Sequence, residues 1–167
     1  MISGKEFAEK AYNLIGLSYE QCDCIGVIRK ALGLRIQGTN WLWRSIDNAQ
    51  KYRYLTQRIS KSPEWTAIEE GLVVFRIKWD VIPNGYTDKP DAHHIGVLFY
   101  RNGWSVVQSN PKTGVCLSDY QPWHWDGYGK MKYVKYIGQS EDNKPNIENL
   151  SDHEMLVAIY NKIMGRD

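Results

Sequence analysis

His94-Ile95-Gly96-Val97-Leu98-Phe99-Tyr100, then Arg101-Asn102-Gly103, then Trp104-Ser105-Val106-Val107-Gln108 is the stretch from which the rest of the chain can be read. Apolar side chains alternate on both arms, the period-2 pattern of strands, and Asn102-Gly103 between them is a hairpin signal. Two registers compete. A two-residue Asn-Gly turn, the commoner geometry for this pair, matches Arg101 with Trp104 and turns Gln108 away from His94. A three-residue loop with Gly103 left-handed matches Tyr100 with Trp104 and places Gln108 on His94's face, opposite Gly96. A bulge would have the same effect.

Outward from this hairpin, Gly71–Ile77, Gly114–Ser118 and Tyr128–Ile137 also carry strand patterning, and the Pro- and Asp-containing segment from Ile77 to His94 reads as a loop. Upstream the period is helical. Ser3-Gly4-Lys5-Glu6 is a capping box, and Phe7, Ala8, Ala11, Tyr12, Leu14 and Ile15 keep helical spacing up to Gly16. Asp23 is a good N-cap for a second helix, Cys24–Leu32, ended by Gly33. Ile25, Ile28 and Leu32 form its buried stripe, and Arg29 and Lys30 complement its C-terminal dipole. Gly38–Trp65 reads as a short helix around Trp41–Gln50 plus loop. Helices first and an antiparallel sheet afterwards is an α+β plan. The patterned region is expected to span 1–138. A polar linker over 139–150 follows, then an amphipathic helix within 151–167 with Leu156, Ile159 and Ile163 on one side. That helix is expected to pack on the core rather than to begin an anchoring module.

Length and charge exclude several classes. The 167 residues suit one domain, and a net charge of +2 with 24% charged residues gives no basic stripe for phosphate neutralisation, so no nucleic-acid partner is expected. Mean hydropathy is −0.51, no run approaches the ~20 apolar residues of a membrane span, and no membrane partner is expected. Met1–Lys10 carries charges where a secretory signal would be apolar. Three cysteines make no disulfide framework. Aromatic content, 13% with 7 Trp and 11 Tyr, suits a groove for an extended polar ligand, although composition alone favours an aromatic-rich core.

Cys24 carries the sharpest chemical signal. A thiol in the first turn of a helix sits at the positive end of the dipole, which favours the thiolate and so activates the sulfur. His94, read as the opening residue of its strand, is a base able to meet it, and Gln108 is the group able to fix the imidazole tautomer. His93 and His94, adjacent on a strand, face opposite sides, so one of them faces a given cleft. His124, in Pro122-Trp123-His124-Trp125-Asp126, is a second candidate base, though it reads more simply as a loop histidine among aromatics.

Gly16-x-x-Tyr19, Asp23-Cys24-x-Gly26, Glu70-Gly71-Leu72-Val73-Val74-Phe75, His94-Ile95-Gly96-Val97, and Val106-Val107-Gln108-Ser109 before Gly114-Val115 occur in that order. Over about Phe7 to Ile137 this order resembles the NlpC/P60 cysteine peptidases, bacterial and phage enzymes that cut peptidoglycan stem peptides. The resemblance implies a papain-like α+β core with Cys24 as nucleophile, His94 as base and Gln108 as third polar residue. Tyr19 would be a substrate-side contact, with Asp23, Ile25, Trp41, Trp43 and His93 as the other substrate-facing positions. No metal or cofactor is implied, and the partner is bacterial peptidoglycan; oligomeric state stays open. The chain departs from the family pattern in three places. Ile25 stands where a serine usually follows the nucleophile, the Tyr19–Asp23 spacing is short, and Gln108 stands where histidine is frequent. With the insertion Trp41-Leu42-Trp43-Arg44, these features suit a phage or prophage lysin, made in the cytoplasm and reaching the wall after lysis, by holin release or in a phage particle.

Three rivals share these residues. An amidase acting at N-acetylmuramoyl-L-alanine would use the same cysteine and histidine. A zinc site would draw on Cys22, Cys24, Cys116, Asp91, His93 and His94, but Cys22-x-Cys24 is not the usual spacing and no second pair completes it. A non-catalytic wall-binding module would stack sugars on Tyr19, Trp41, Trp43, Trp65, Trp104, Trp123 and Trp125.

Overall fold

The computed structural model describes residues 1–48, 53–65 and 67–137, and Met1–Tyr136 form one compact unit. The polar linker expected over 139–150 and the amphipathic helix over 151–167 lie outside the described residues.

Local signals set the helices. Ser3 caps α1 (Gly4–Tyr12) through its hydroxyl to the Glu6 amide, and the Glu6 carboxylate returns to the Ser3 amide at 2.7 Å, a complete capping box. The helix stops at Tyr12 with Asn13 as C-cap, so Leu14 and Ile15 belong to turns and not to the helix. A tertiary contact explains the early end: the Gly16 amide donates to Val115, whose own amide donates to Leu17, drawing 16–17 onto the sheet. α2 (Cys24–Leu32) begins at Asp23 and ends at Gly33 in the left-handed conformation, as its cap residues indicate. α3 (Thr39–Arg44) is shorter than its expected span and passes into a 3-10 turn at Ser45–Asp47.

Short β1 (Ile2–Ser3) lies parallel to β8 (Val134–Lys135), and the remaining strands make one antiparallel sheet. These are β2 (Leu55–Ile59), β3 (Val73–Lys78), β4 (Asp91–Tyr100), β5 (Trp104–Asn110), β6 (Gly114–Asp119) and β7 (Gly127–Met131), in spatial order β2-β7-β3-β4-β5-β6. The chain is therefore α+β. Three strand expectations change. β2, which the region 38–65 gave no reason to expect, forms on the edge against β7. The single strand read over Tyr128–Ile137 is two, broken at Lys132–Tyr133, because β8 leaves the main sheet to pair with β1. β4 begins at Asp91, so His94 is its fourth residue and not its mouth.

Both faces of the sheet are covered. Tyr12 of α1 stacks on Phe99 at 4.7 Å, Ser109 donates to the Cys22 carbonyl before α2, and Trp43 of α3 meets Phe75 edge-on at 4.9 Å. The helices thus take the face of the odd-numbered residues of β3, β4 and β5. On the other face Val74, Leu98 and Val106 are fully buried, and the buried Tyr120 donates its hydroxyl to the Pro63 carbonyl. His94, Gly96 and Gln108 belong to this second face.

Candidate active site

The hairpin register comes first, because it decides what His94 can touch. Tyr100 pairs with Trp104 and Gly96 with Gln108, the register of the three-residue loop. Two consecutive positive φ angles, Asn102 at 59° and Gly103 at 139°, make the turn, so the left-handed residue is asparagine, which tolerates that region. Gln108 therefore shares His94's face. His94 Nε2 lies 2.6 Å from Gln108 Oε1, and Gln108 Nε2 donates to Ser118 Oγ, also at 2.6 Å. An amide oxygen only accepts, so Nε2 carries the imidazole hydrogen and Nδ1 of the neutral ring keeps its lone pair.

A bulge sits beside this pair. Arg76 faces His94 but Ile77 faces Ala92, leaving His93 unmatched on β3. Bulges of this kind re-aim neighbouring side chains next to functional sites. His93 is exposed here and His94 half-buried. The His94 ring is also near-parallel to the Trp125 indole, 6.0 Å between centroids and 17° between planes.

Cys24 is the first residue of α2. The Asp23 carboxylate accepts from the Gly26 amide at 2.7 Å and from Arg29 at 2.8 Å, so it is committed to the helix cap and one ion pair. A Cβ on Gly26 would sit 2.7 Å from that carboxylate oxygen, which is the physical content of the Asp23-Cys24-x-Gly26 spacing. The Cys24 sulfur lies 3.7 Å from Thr39 Oγ1 and is met by the backbone amides of Ile25 and Ile95. The β4–β5 ladder stops at Gly96–Gln108 although β5 continues to Asn110, and Ile95 lies just beyond that end. The sulfur and the imidazole share no hydrogen bond among the described residues. The Ile95 amide acts on the thiol, and His94 precedes Ile95 on β4 with its side chain on the face away from the helices.

Burial sets the protonation of both groups. It pushes the Cys24 thiol up from its ordinary value, and the Asp23 charge adds to that, against the Thr39 hydroxyl and the two amides. It pushes the His94 imidazole down, against the Gln108 bond, with the Arg76 and His93 charges assisting. Burial and the Asp23 charge thus oppose the thiolate expected from the helix terminus, and the two directions together favour neutral thiol and neutral imidazole at rest.

The substrate-facing expectations divide. Tyr19 is half-buried beside Cys24 and Asp23, and burial followed by those two charges raises its phenol. It lines a cleft of about 640 Å³ with Gln21, Asp23, Arg29 and Lys30. Trp41 and His93 line a second cleft, of about 390 Å³, with Thr39, Asn40 and Tyr86. Ile25 and Trp43 are core side chains, 4% and 2% exposed, not cleft walls. The reason is local: Ile25 is on the inward stripe of α2, and Trp43 fills the space over Phe75 and Gly127. Trp125 is likewise buried, which removes two rings from any sugar-stacking surface.

His124 is exposed against Trp123. No group of three potential metal ligands occurs among the described residues. Cys22 is buried with its sulfur toward the Asp23 carbonyl, and Cys116 receives Asn110. Thr39, Ser118 and Trp125 are the residues that sequence reasoning missed at this site. Only Ser118 had a readable signal, its place on a strand two positions from Cys116, Gln108's partner across the ladder.

No family model matches the chain, and no curated protein and no solved structure matches it either.

Proposed function

We propose that the protein is a cysteine peptidase with a papain-like arrangement, hydrolysing amide bonds in the stem peptides of bacterial peptidoglycan, with Cys24 as nucleophile, His94 as base and Gln108 as the residue orienting it. One observation carries the reading: the 2.6 Å contact of His94 with Gln108 in a register that leaves Nδ1 as acceptor, on the strand whose Ile95 amide acts on the Cys24 sulfur. An orienting amide behind an imidazole, with a thiol next to the same strand, is the pattern of thiol acyl-transfer sites. The substrate class is what the resemblance of the motif order to the NlpC/P60 peptidases implies.

From a neutral resting pair the chemistry begins with proton transfer. As the sulfur attacks the scissile carbonyl, the thiol proton passes to His94 Nδ1, while Nε2–H stays with Gln108 and stabilises the imidazolium. The Cys24 amide, in a helix first turn without intrahelical acceptors, is placed to donate to the oxyanion. The imidazolium then protonates the leaving amine as the C–N bond breaks. Water, deprotonated by His94, hydrolyses the thioester and frees Cys24. Two clefts are the candidate peptide subsites: one lined by Tyr19 and Asp23, the latter next to Cys24 in the chain, and one lined by Trp41, His93 and Thr39, whose hydroxyl meets the sulfur.

Mass spectrometry of fragments released from purified peptidoglycan tests this. The wild type is expected to release stem-peptide fragments with new amine and carboxyl ends, and Cys24→Ala to release none. Equal release by both proteins contradicts the proposal.

A further inference from the structure

The indole of Trp125 is accounted for neither by the helix-covered core nor by the proposed chemistry. It is 6% exposed, follows a 3-10 turn at Pro122–His124, and its amide donates to the Pro122 carbonyl. Its neighbour Asp126 is fastened twice to β3: the Asp126 amide donates to the Phe75 carbonyl at 2.8 Å, and its carboxylate accepts from the Ile77 amide at 2.8 Å. The ring is therefore held by the sheet and not by a free loop. It lies near-parallel to His94 in the offset range favourable for aromatic pairs. It also extends over Gly96, where a Cβ would come 3.3 Å from its Cη2 and 2.3 Å from Val106 Cγ1. Gly96 is the residue directly opposite Gln108. A side chain at 96 would thus intrude between the indole and the strand at the place where the imidazole and the amide meet.

We propose that Trp125 is the positioning residue for His94: its indole, seated over Gly96 and fastened through Asp126 to β3, closes the His94–Gln108 hydrogen bond to water and holds the imidazole plane. The role rests on the reading of His94 as base, and it acts through His94 without touching substrate. A bond from Nε2–H to an amide oxygen competes with water wherever water can reach it, and excluding water strengthens it. The charged and titratable groups facing the imidazole are Arg76 from β3 and His93 from its own strand, with Cys24 of α2 beside the next residue. β5 contributes uncharged Gln108, and the Trp125 segment turns its one carboxylate to Ile77.

Imidazole NMR of the intact protein tests the proposal without substrate, so its outcome is separate from whether stem peptides are cleaved. In the wild type the His94 Nε2–H proton is expected to be observable, slow to exchange with water, and close to the Trp125 ring by nuclear Overhauser contact. In Trp125→Ala that proton is expected to vanish by exchange and the His94 titration to move up toward 6.5; in Trp125→Phe both are expected to stay near wild type. In turnover, Trp125→Ala should lower kcat about tenfold with KM within about twofold, a smaller loss than removing an acid–base group. Fast exchange of the wild-type proton overturns the proposal even if Trp125→Ala fails to fold. So does a folded Trp125→Ala with unchanged exchange and titration.

Discussion

Gln108 stands directly opposite Gly96 across the β4–β5 ladder. That pairing, set by a three-residue turn whose Asn102 is left-handed, is what lets the amide reach His94 two residues along the neighbouring strand. Removing the amide leaves the imidazole without an acceptor for Nε2–H. Gln108→Leu is expected to lower kcat/KM roughly 10- to 100-fold with the fold intact by circular dichroism. Gln108→Glu puts a negative charge there and should raise the acid limb of the pH–rate profile by about one unit or more. A steady-state pH series on both variants checks this.

The neutral resting pair predicts a particular pH profile. His94 must be unprotonated to accept the thiol proton and its value is depressed, so the acid limb of kcat/KM should lie below pH 6.5. The thiol is raised, so the alkaline limb should lie above pH 9.0. Stability follows with the same signs. Below pH 6.5 the unfolded chain protonates His94 before the folded one does, so stability falls as pH falls; above pH 9.0 the unfolded chain loses the Cys24 proton first, so stability falls as pH rises. Urea midpoints across pH should form a plateau between those limits. An ion-pair site would instead keep its thiolate reactive down to about pH 4.

Thr39 is the polar side chain against the sulfur, and its hydroxyl opposes the effect of burial. Thr39→Val keeps the shape and removes the hydroxyl. Alkylation of Cys24 by iodoacetamide at pH 8 should slow by about threefold, consistent with the loss of one weak hydrogen bond. Thr39→Ser should restore the rate.

Asp23 acts on the site in two opposed ways, capping the helix that carries Cys24 and repelling the thiolate. Asp23→Asn keeps a good cap and removes the charge, so alkylation at pH 8 should quicken while stability changes by less than about 1 kcal/mol, the Arg29 pair being partly exposed. Asp23→Ala should cost about 1 kcal/mol more through the lost cap. Thermal melts and alkylation rates separate the two effects.

What the sequence disclosed follows from the range over which each interaction acts. Ser3 with Glu6, and Asp23 with Gly33, mark helix ends within a turn or two, so α2 is found at its expected residues. The end of α1 was not readable, because Val115 from a distant strand draws Gly16 and Leu17 away. β2 pairs with β7 across some seventy residues, and its exposed Thr56 and Gln57 leave little alternation to see. Cys24, His94 and Gln108 were legible as residue types, but which face Gln108 takes depended on one turn residue. The Trp125 stack and the Thr39 contact join residues 31 and 15 positions apart and left no local trace. The direction of the thiol shift was missed for a related reason: the helix dipole is visible in sequence, whereas burial is a property of the assembled fold.

The most direct test of the account is stoichiometric alkylation with parallel assay. Protein treated with iodoacetamide is sampled over time, peptide-mapped for modification at Cys22, Cys24 and Cys116, and assayed on purified peptidoglycan. The account predicts that hydrolysis is lost in proportion to modification of Cys24, with buried Cys22 unreacted. Full hydrolysis by protein whose Cys24 is completely alkylated would contradict it.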